Sequence, residues 1–371
     1  MPIRPLTVSG LIGITIHAPI GALIDATHHK RGLIIAGTCA LAASALAIAW
    51  APTFPVVLSG DILMAVAGAI FAPTVAAITL GMTPQQALPA RLGRNAAFDR
   101  AGNIFIAVLA GLVGWAFSQR AVFYLVPFFA VLTTLAVLSI PANAIDHDRA
   151  RGLGHSSATD HEQQPAGWRV LLERRPLLVL TAANALFHFA NAPMLPLLGQ
   201  KLALAHPGVE TAFISACIIT AQLVTIPVAL LVGWKANSWG RKTLLLIGLG
   251  TLPIRGALFT VSDNEVWLVS LQVLDGVAAG TLEALIPLVL ADVMLGTGRY
   301  NAARGVLGTV QGIAGSLSNA AAGFLVVSTG YNATFLALST VGVVAWLVLL
   351  AAMPETGRNA SCRKAALAPT G

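Results

Sequence analysis

Charge is what this 371-residue sequence has least of: 15 Asp+Glu and 22 Lys+Arg make up 10% of it, against about 25% in an average soluble domain. That many polar side chains cannot clothe a water-facing surface, so a soluble globule is excluded. Cysteine is scarce as well. Of the three, Cys39 and Cys217 fall in apolar stretches and Cys362 in a polar tail. No metal-ligand spacing links them, and they read as reduced and structural. The chain has no Gly-x-x-x-x-Gly-Lys-Ser/Thr loop and no soluble stretch large enough for a nucleotide domain, so no ATP site is expected. It also has no cluster of His, Ser or Cys that would supply an acid, base and nucleophile together, which argues against a membrane enzyme. No cofactor is expected. The stretch from Leu6 is too long for a signal peptide and has no small-residue cleavage site.

What is present is apolar. Hydrophobic residues make up 56%, with 35 Gly and 20 Pro, two residues that membrane helices tolerate because neighbouring helices and hydroxyl groups satisfy the freed backbone. The composition predicts an all-α polytopic membrane protein. A bilayer core of about 30 Å takes roughly 20 residues of helix, and eleven runs of that kind can be marked: 6–26, 32–51, 54–81, 98–117, 121–140, 177–199, 211–234, 243–262, 266–295, 305–327 and 332–353. Lys30, Arg31, Arg91, Arg94, Arg100, Arg149, Arg151, Arg169, Arg174, Arg175, Lys235, Arg241, Lys242, Arg299, Arg304, Arg358, Arg363 and Lys364 then fall on one side, against Arg4, Arg120 and Lys201 on the other. By the positive-inside rule the crowded side is cytoplasmic, and the C-terminus with it. The net charge of +7 is thereby assigned to orientation and anionic lipid, with no nucleic-acid partner.

The one long polar connection, 141–176, reads as a cytoplasmic linker. It divides an N-terminal bundle of five spans (1–140) from a C-terminal bundle of six (177–354), followed by a tail (355–371). His147, His155 and His161 in it lack the spacing of a metal site.

Comparing the two halves exposes a duplication. Gly21-Ala22-Leu23-Ile24-Asp25, followed by His29-Lys30-Arg31, matches Gly233-Trp234-Lys235-Ala236-Asn237, followed by Gly240-Arg241-Lys242. Ser59, Leu63, Val66 and Ala67 match Ser270, Leu274, Val277 and Ala278. Arg94-Asn95-Ala96-Ala97 matches Arg299-Tyr300-Asn301-Ala302-Ala303. The order and offset are shared. By this symmetry the partner of 177–199 would lie upstream of Met1, so the first of twelve helices is expected to be missing, through truncation or a misplaced start.

Two six-helix bundles, a cytoplasmic linker and a Gly-x-Leu-x-Asp plus basic cluster after the second helix of each half resemble the major facilitator superfamily. Gly21, Leu23, Asp25, Lys30 and Arg31 match that motif in the first half, with His28 in place of its second Gly. In the second half Gly233, Gly240, Arg241 and Lys242 match, while Asn237 stands at the acidic position. The resemblance implies a secondary transporter without enzymatic activity that works by alternating access. It also implies a gate in which this loop holds the two bundles together on the cytoplasmic side. On physical grounds Asp25 beside Lys30 and Arg31 is expected to form a charge-assisted bridge. Gly102, Gly111 and Gly114 partly resemble the glycine-rich motif of drug:proton antiporters, although Leu112 stands where its Pro would be.

Charges at bilayer depth are functional candidates by default. Asp61, Arg255, Asp275 and Glu283 lie well inside their spans, and Gln222 and Gln311 are candidates to line a solute path or to bond helix to helix. Asp275 and Glu283, at i and i+8, are about 80° apart around one helix. Either can serve a proton-coupled carrier, and Arg255 has a depth that suits an ion pair with Asp275. Asp99, Arg100 and Asp292 are expected to be solvated near span ends, and His17 and His188 to be packing residues. Gly276-x-x-x-Gly280 and Gly308-x-x-x-Gly312 suit close helix approach.

The leading expectation is a monomeric carrier in a bacterial inner membrane, with a small-molecule solute, protons and membrane lipids as its partners. It would perform proton-coupled efflux of a drug-like or amphipathic compound. The alternatives are proton-coupled uptake of an organic acid or sugar, and an inactive truncated carrier.

Overall fold

The computed structural model describes residues 19–51, 53–153, 167, 169–205 and 210–357. Among the described residues there is no strand, only helices and their connections. Most of the expected first span, His17, the centre of the linker with His155 and His161, Arg358, Cys362 and Arg363 lie outside them.

The principal helices are α1 (Lys30–Trp50), α2 (Phe54–Met82), α3 (Leu88–Ala116), α4 (Leu125–Leu138), α5 (Arg175–Asn191), α6 (Met194–Ala205), α7 (Glu210–Trp239), α8 (Arg241–Leu258), α9 (Gln272–Val293) and α10 (Tyr300–Ala352). Eight segments among the described residues are long and apolar enough to cross a membrane. The eleven-span reading and its missing first helix go beyond this number. Part of the difference lies in α10. Its 53 residues would run about 80 Å at 1.5 Å per residue, far beyond a bilayer, and the run breaks at Gly330, where φ is 84°. A left-handed residue of this kind strains any side chain except glycine's. The break falls between the expected spans 305–327 and 332–353. Another part lies in α8, an 18-residue helix that is absent from the eight.

The chain forms two compact units. One contains the described residues of Met1–Gln85, Asn103–Trp168 and Met294–Thr309, and the other those of Gln86–Gly102, Arg169–Val293 and Val310–Gly371. Each unit therefore combines most of one expected bundle with a short segment from the opposite half of the sequence.

In the first unit α1 packs against α2 and α4. Ile20, Ile24, Ala69, Ala77 and Ala150 form one buried cluster there and Ile34, Ile78, Val137 and Ile145 another. Outward faces remain apolar: Phe128, Val131, Leu132 and Leu135 on α4 are exposed, as suits hydrocarbon contact.

In the second unit α9 lies against α7 and α8. Small residues allow this approach. A Cβ added at Gly276 would fall 2.5 Å from the carbonyl oxygen of Ala221, and one at Gly280 would fall 2.7 Å from that of Thr225. The Gly276-x-x-x-Gly280 pair thus seats α9 on the backbone of α7, as a small-x-x-x-small pattern does in membranes.

Candidate functional site

The duplicated loop motif takes a different form in each unit. In the first, Gly21 has no room for a Cβ because the backbone of Asn301 lies directly against it. That approach brings Asp25 to the start of α10. The buried carboxylate accepts from the backbone N–H of Asn301 at 3.1 Å, from its side-chain Nδ2 at 2.8 Å, and from the backbone N–H of Ala302 at 2.8 Å. These amides belong to the first turn of a helix, whose free N–H groups and dipole favour an anion. The expected bridge from Asp25 to Lys30 and Arg31 is therefore corrected. Lys30 is buried and its Nζ donates to the carbonyl of Thr27 at 2.8 Å. Arg31 donates through Nε to Val137 O at 3.2 Å and through Nη2 to Leu138 O at 3.0 Å, closing the carbonyl end of α4 as a cation does best. Leu23 is exposed. Nearby, the rings of His28 and His147 meet edge to face at 4.9 Å. Burial, then Lys30 and His28, push the His147 imidazole below its ordinary pKa.

In the second unit Gly233 lies against Gly93 of α3, so close that a Cβ would stand 3.0 Å from the Gly93 Cα. The two units thus repeat one relationship: the motif glycine receives the backbone of a segment from the other half of the sequence. The charge arrangement is not repeated. Gly240 adopts φ 86° and starts α8 so that Arg241 turns inward. Arg241 donates through Nε to Asp292 Oδ2 at 2.9 Å and through Nη1 to Ala236 O at 2.9 Å and to Asn237 Oδ1 at 3.0 Å. Glu355 accepts from the backbone amides of Arg241 at 2.8 Å and Lys242 at 3.1 Å. Lys242 Nζ donates to Leu350 O at 2.7 Å. The acid missing at Asn237 is thus supplied from elsewhere in the chain, by Asp292 and Glu355. Asp292, expected to be solvated, is a nearly buried ion-pair partner.

At the depth of the spans, α9 carries both predicted carboxylates. Asp275 pairs with Arg255 of α8, whose guanidinium also donates to Asn191 Oδ1 and to the Met194 sulfur at 3.4 Å, and lies 5.7 Å from the Phe259 ring centroid. Arg255 is 3% exposed and its Nε has no partner. Glu283 pairs with Arg100 of α3: Nε donates to Oε2 at 2.8 Å, and Nη2 meets Oε1. Arg100 Nη1 reaches Gln222 Oε1 on α7 at 3.4 Å. This corrects the expectation that Arg100 is solvated at a helix entrance. Its neighbour Asp99 is exposed as expected, at 65%.

Gln311 accepts from Asn184 Nδ2 at 3.2 Å, which is the helix-to-helix role. His188 packs edge to face on Phe187. Asp61 lies on α2, and its side chain is outside the described set. Among the described residues no group of His, Cys, Asp or Glu is arranged to hold a metal ion. The charge partners that the sequence reading did not place are Arg100, Asp292 and Glu355.

A model of the Major Facilitator Superfamily matches residues 5–252 and 177–368. The chain is 44% identical over 354 residues to the uncharacterized MFS-type transporter Rv2456c of Mycobacterium tuberculosis (strain ATCC 25618 / H37Rv), covering 95% of this chain and 84% of that one. Among solved structures, its fold is similar to the proton:xylose symporter XylE (TM-score 0.72, 16% identity, 94% of this chain and 86% of the other). It is also similar to the human organic anion transporter MFSD10 (TM-score 0.71, 15% identity, 92% and 82%).

Proposed function

Because the chain belongs to the major facilitator superfamily, whose members are secondary carriers and not enzymes, we propose that it moves a small solute by proton-coupled alternating access. The setting is a bacterial inner membrane with the C-terminus in the cytoplasm, and the working unit is a monomer. The observation that carries this reading is α9. Two carboxylates two turns apart are each held by an arginine from a different helix, α8 or α3. Charges inside a span are functional candidates by default, and protonating an acid held in this way breaks its pair, so proton binding can be converted into helix movement.

The gate would be the motif loop. Asp25 on the first turn of α10 forms a contact made and broken as a unit, which suits a latch better than diffuse lipid anchoring by Lys30 and Arg31. Efflux of a drug-like amphipath rests on the glycines at 102, 111 and 114. Arginines at two depths of the second unit favour the other reading, transport of a hydrophilic solute such as an organic acid or sugar.

The test is accumulation by purified protein in vesicles with an imposed pH gradient, offered labelled organic acids, sugars and amphipathic cations. One class should accumulate, and a protonophore should abolish the accumulation. Accumulation that survives the protonophore contradicts proton coupling.

A further inference from the structure

The two ion pairs of α9 differ in a way that bears on the solute. Arg255 is sealed at 3% exposure and shared among Asp275, Asn191 and Met194. Arg100 and Glu283 are 25% and 28% exposed, and Arg100 has two of its three nitrogens on the same carboxylate. This two-pronged contact is the geometry in which a guanidinium recognises any carboxylate or phosphate, independently of what carries it. The third nitrogen rests on the neutral Gln222 amide at the long distance of 3.4 Å, which adds no competing charge.

We infer that Arg100 is the receptor for the carboxylate of an organic-anion solute, and that Glu283 is the internal carboxylate which occupies the receptor when the solute is absent. This rests on the proton-coupled carrier reading above and names its solute class. One proton adds to a Glu283 oxygen, giving the neutral acid. Arg100 loses its counter-ion, and a cation left unpaired inside a protein is strongly unfavourable. The anion of the solute then restores the balance. One proton and one monoanion enter together, no bond within the solute changes, and the net charge of the site is the same before and after. A cationic solute would have to compete with Arg100 for Glu283 and would leave the guanidinium unpaired, so the geometry disfavours it.

The neighbouring charges leave this exchange to Glu283. On α3, Asp99 is 3.9 Å from Arg100 but 65% exposed. On α9, Asp275 is engaged by Arg255 and Asp292 by Arg241, both from α8. The facing residue of α7 is the uncharged Gln222, and on α5 His188 packs against Phe187.

The probe is acetate, with acetamide as its uncharged isostere, at constant ionic strength. The protein is the full chain in nanodiscs of zwitterionic lipid, so that no anionic headgroup competes for Arg100. Glu283→Gln keeps the side-chain shape and removes the competing charge. In this variant about 50 mM acetate in place of chloride should raise the apparent melting temperature by about 2 °C or more, as binding to the folded state does. Acetamide should not. The shift should disappear in the Glu283→Gln/Arg100→Gln double variant. In the wild type it should grow as the pH falls, because protonation of Glu283 frees Arg100 for the acetate. No acetate effect in Glu283→Gln, or one that persists without Arg100, overturns the receptor. A wild-type shift of equal size at every pH leaves the receptor standing and removes Glu283 as the coupled proton site, so the two failures are distinguishable.

Discussion

Single side chains show how this protein handles charge away from water. Asp25 gathers three N–H donors at the start of α10, and each hydrogen bond to a charged acceptor contributes about 1.5–3 kcal/mol when buried. Asp25→Asn keeps the shape but turns an amide N–H toward these donors, so it should cost about 2 kcal/mol or more. Thermal unfolding in nanodiscs measures this, and an unchanged melting temperature would contradict the docking. The Arg255–Asp275 pair invites a double-mutant cycle. Asp275→Asn strands a cation that is 3% exposed and should cost about 3–5 kcal/mol. Adding Arg255→Gln should recover much of that loss, giving a coupling of about 1–3 kcal/mol. Simple additivity of the two variants would show that the pair is not energetically joined.

The helices explain which residues were legible in the sequence. Apolar runs of bilayer length showed an all-helical membrane chain, eight of whose described segments are long and apolar enough to cross a bilayer. The paired glycines showed that α9 approaches a neighbour closely, without naming α7 as that neighbour. A Cβ at Gly280 would meet Thr225 O at 2.7 Å and the Val228 Cβ at 3.0 Å, so Gly280→Val should destabilise by about 1–3 kcal/mol. Gly68, with nothing within 4 Å of its added Cβ, serves as the control. Gly68→Ala in the interior of α2 should be neutral or add up to about 1 kcal/mol. Equal losses at both sites in chemical or thermal unfolding would contradict the close-approach account. Arg100 was misplaced for a reason that also lies in the helices. Polar residues before Phe98 suggested a span starting there, whereas α3 starts at Leu88. Arg100 thus stands three turns into a helix and not at its mouth. The partner of Asp25 was invisible for another reason: backbone amides at a helix start carry no residue signature, and these are separated from Asp25 by 276 residues. Asp292 and Glu355 were equally hidden, since nothing local links them to Arg241.

At the scale of the molecule, a chain with 10% charged residues keeps several of them where water is scarce. Several of these are paired between helices: the three acids of α9, Asp275, Glu283 and Asp292, are met by Arg255 and Arg241 of α8 and by Arg100 of α3. Such pairing makes a carrier sensitive to protons, because neutralising one acid releases one arginine. The central claim is that Glu283 is the acid through which a proton gradient does work on the solute. Its most direct test compares two rates for one transported solute in proteoliposomes: accumulation driven by a pH gradient, and exchange at equal pH on both sides. Glu283→Gln should lose gradient-driven accumulation to the level of protein-free vesicles while retaining exchange. Gradient-driven accumulation in Glu283→Gln equal to that of the wild type would contradict the claim.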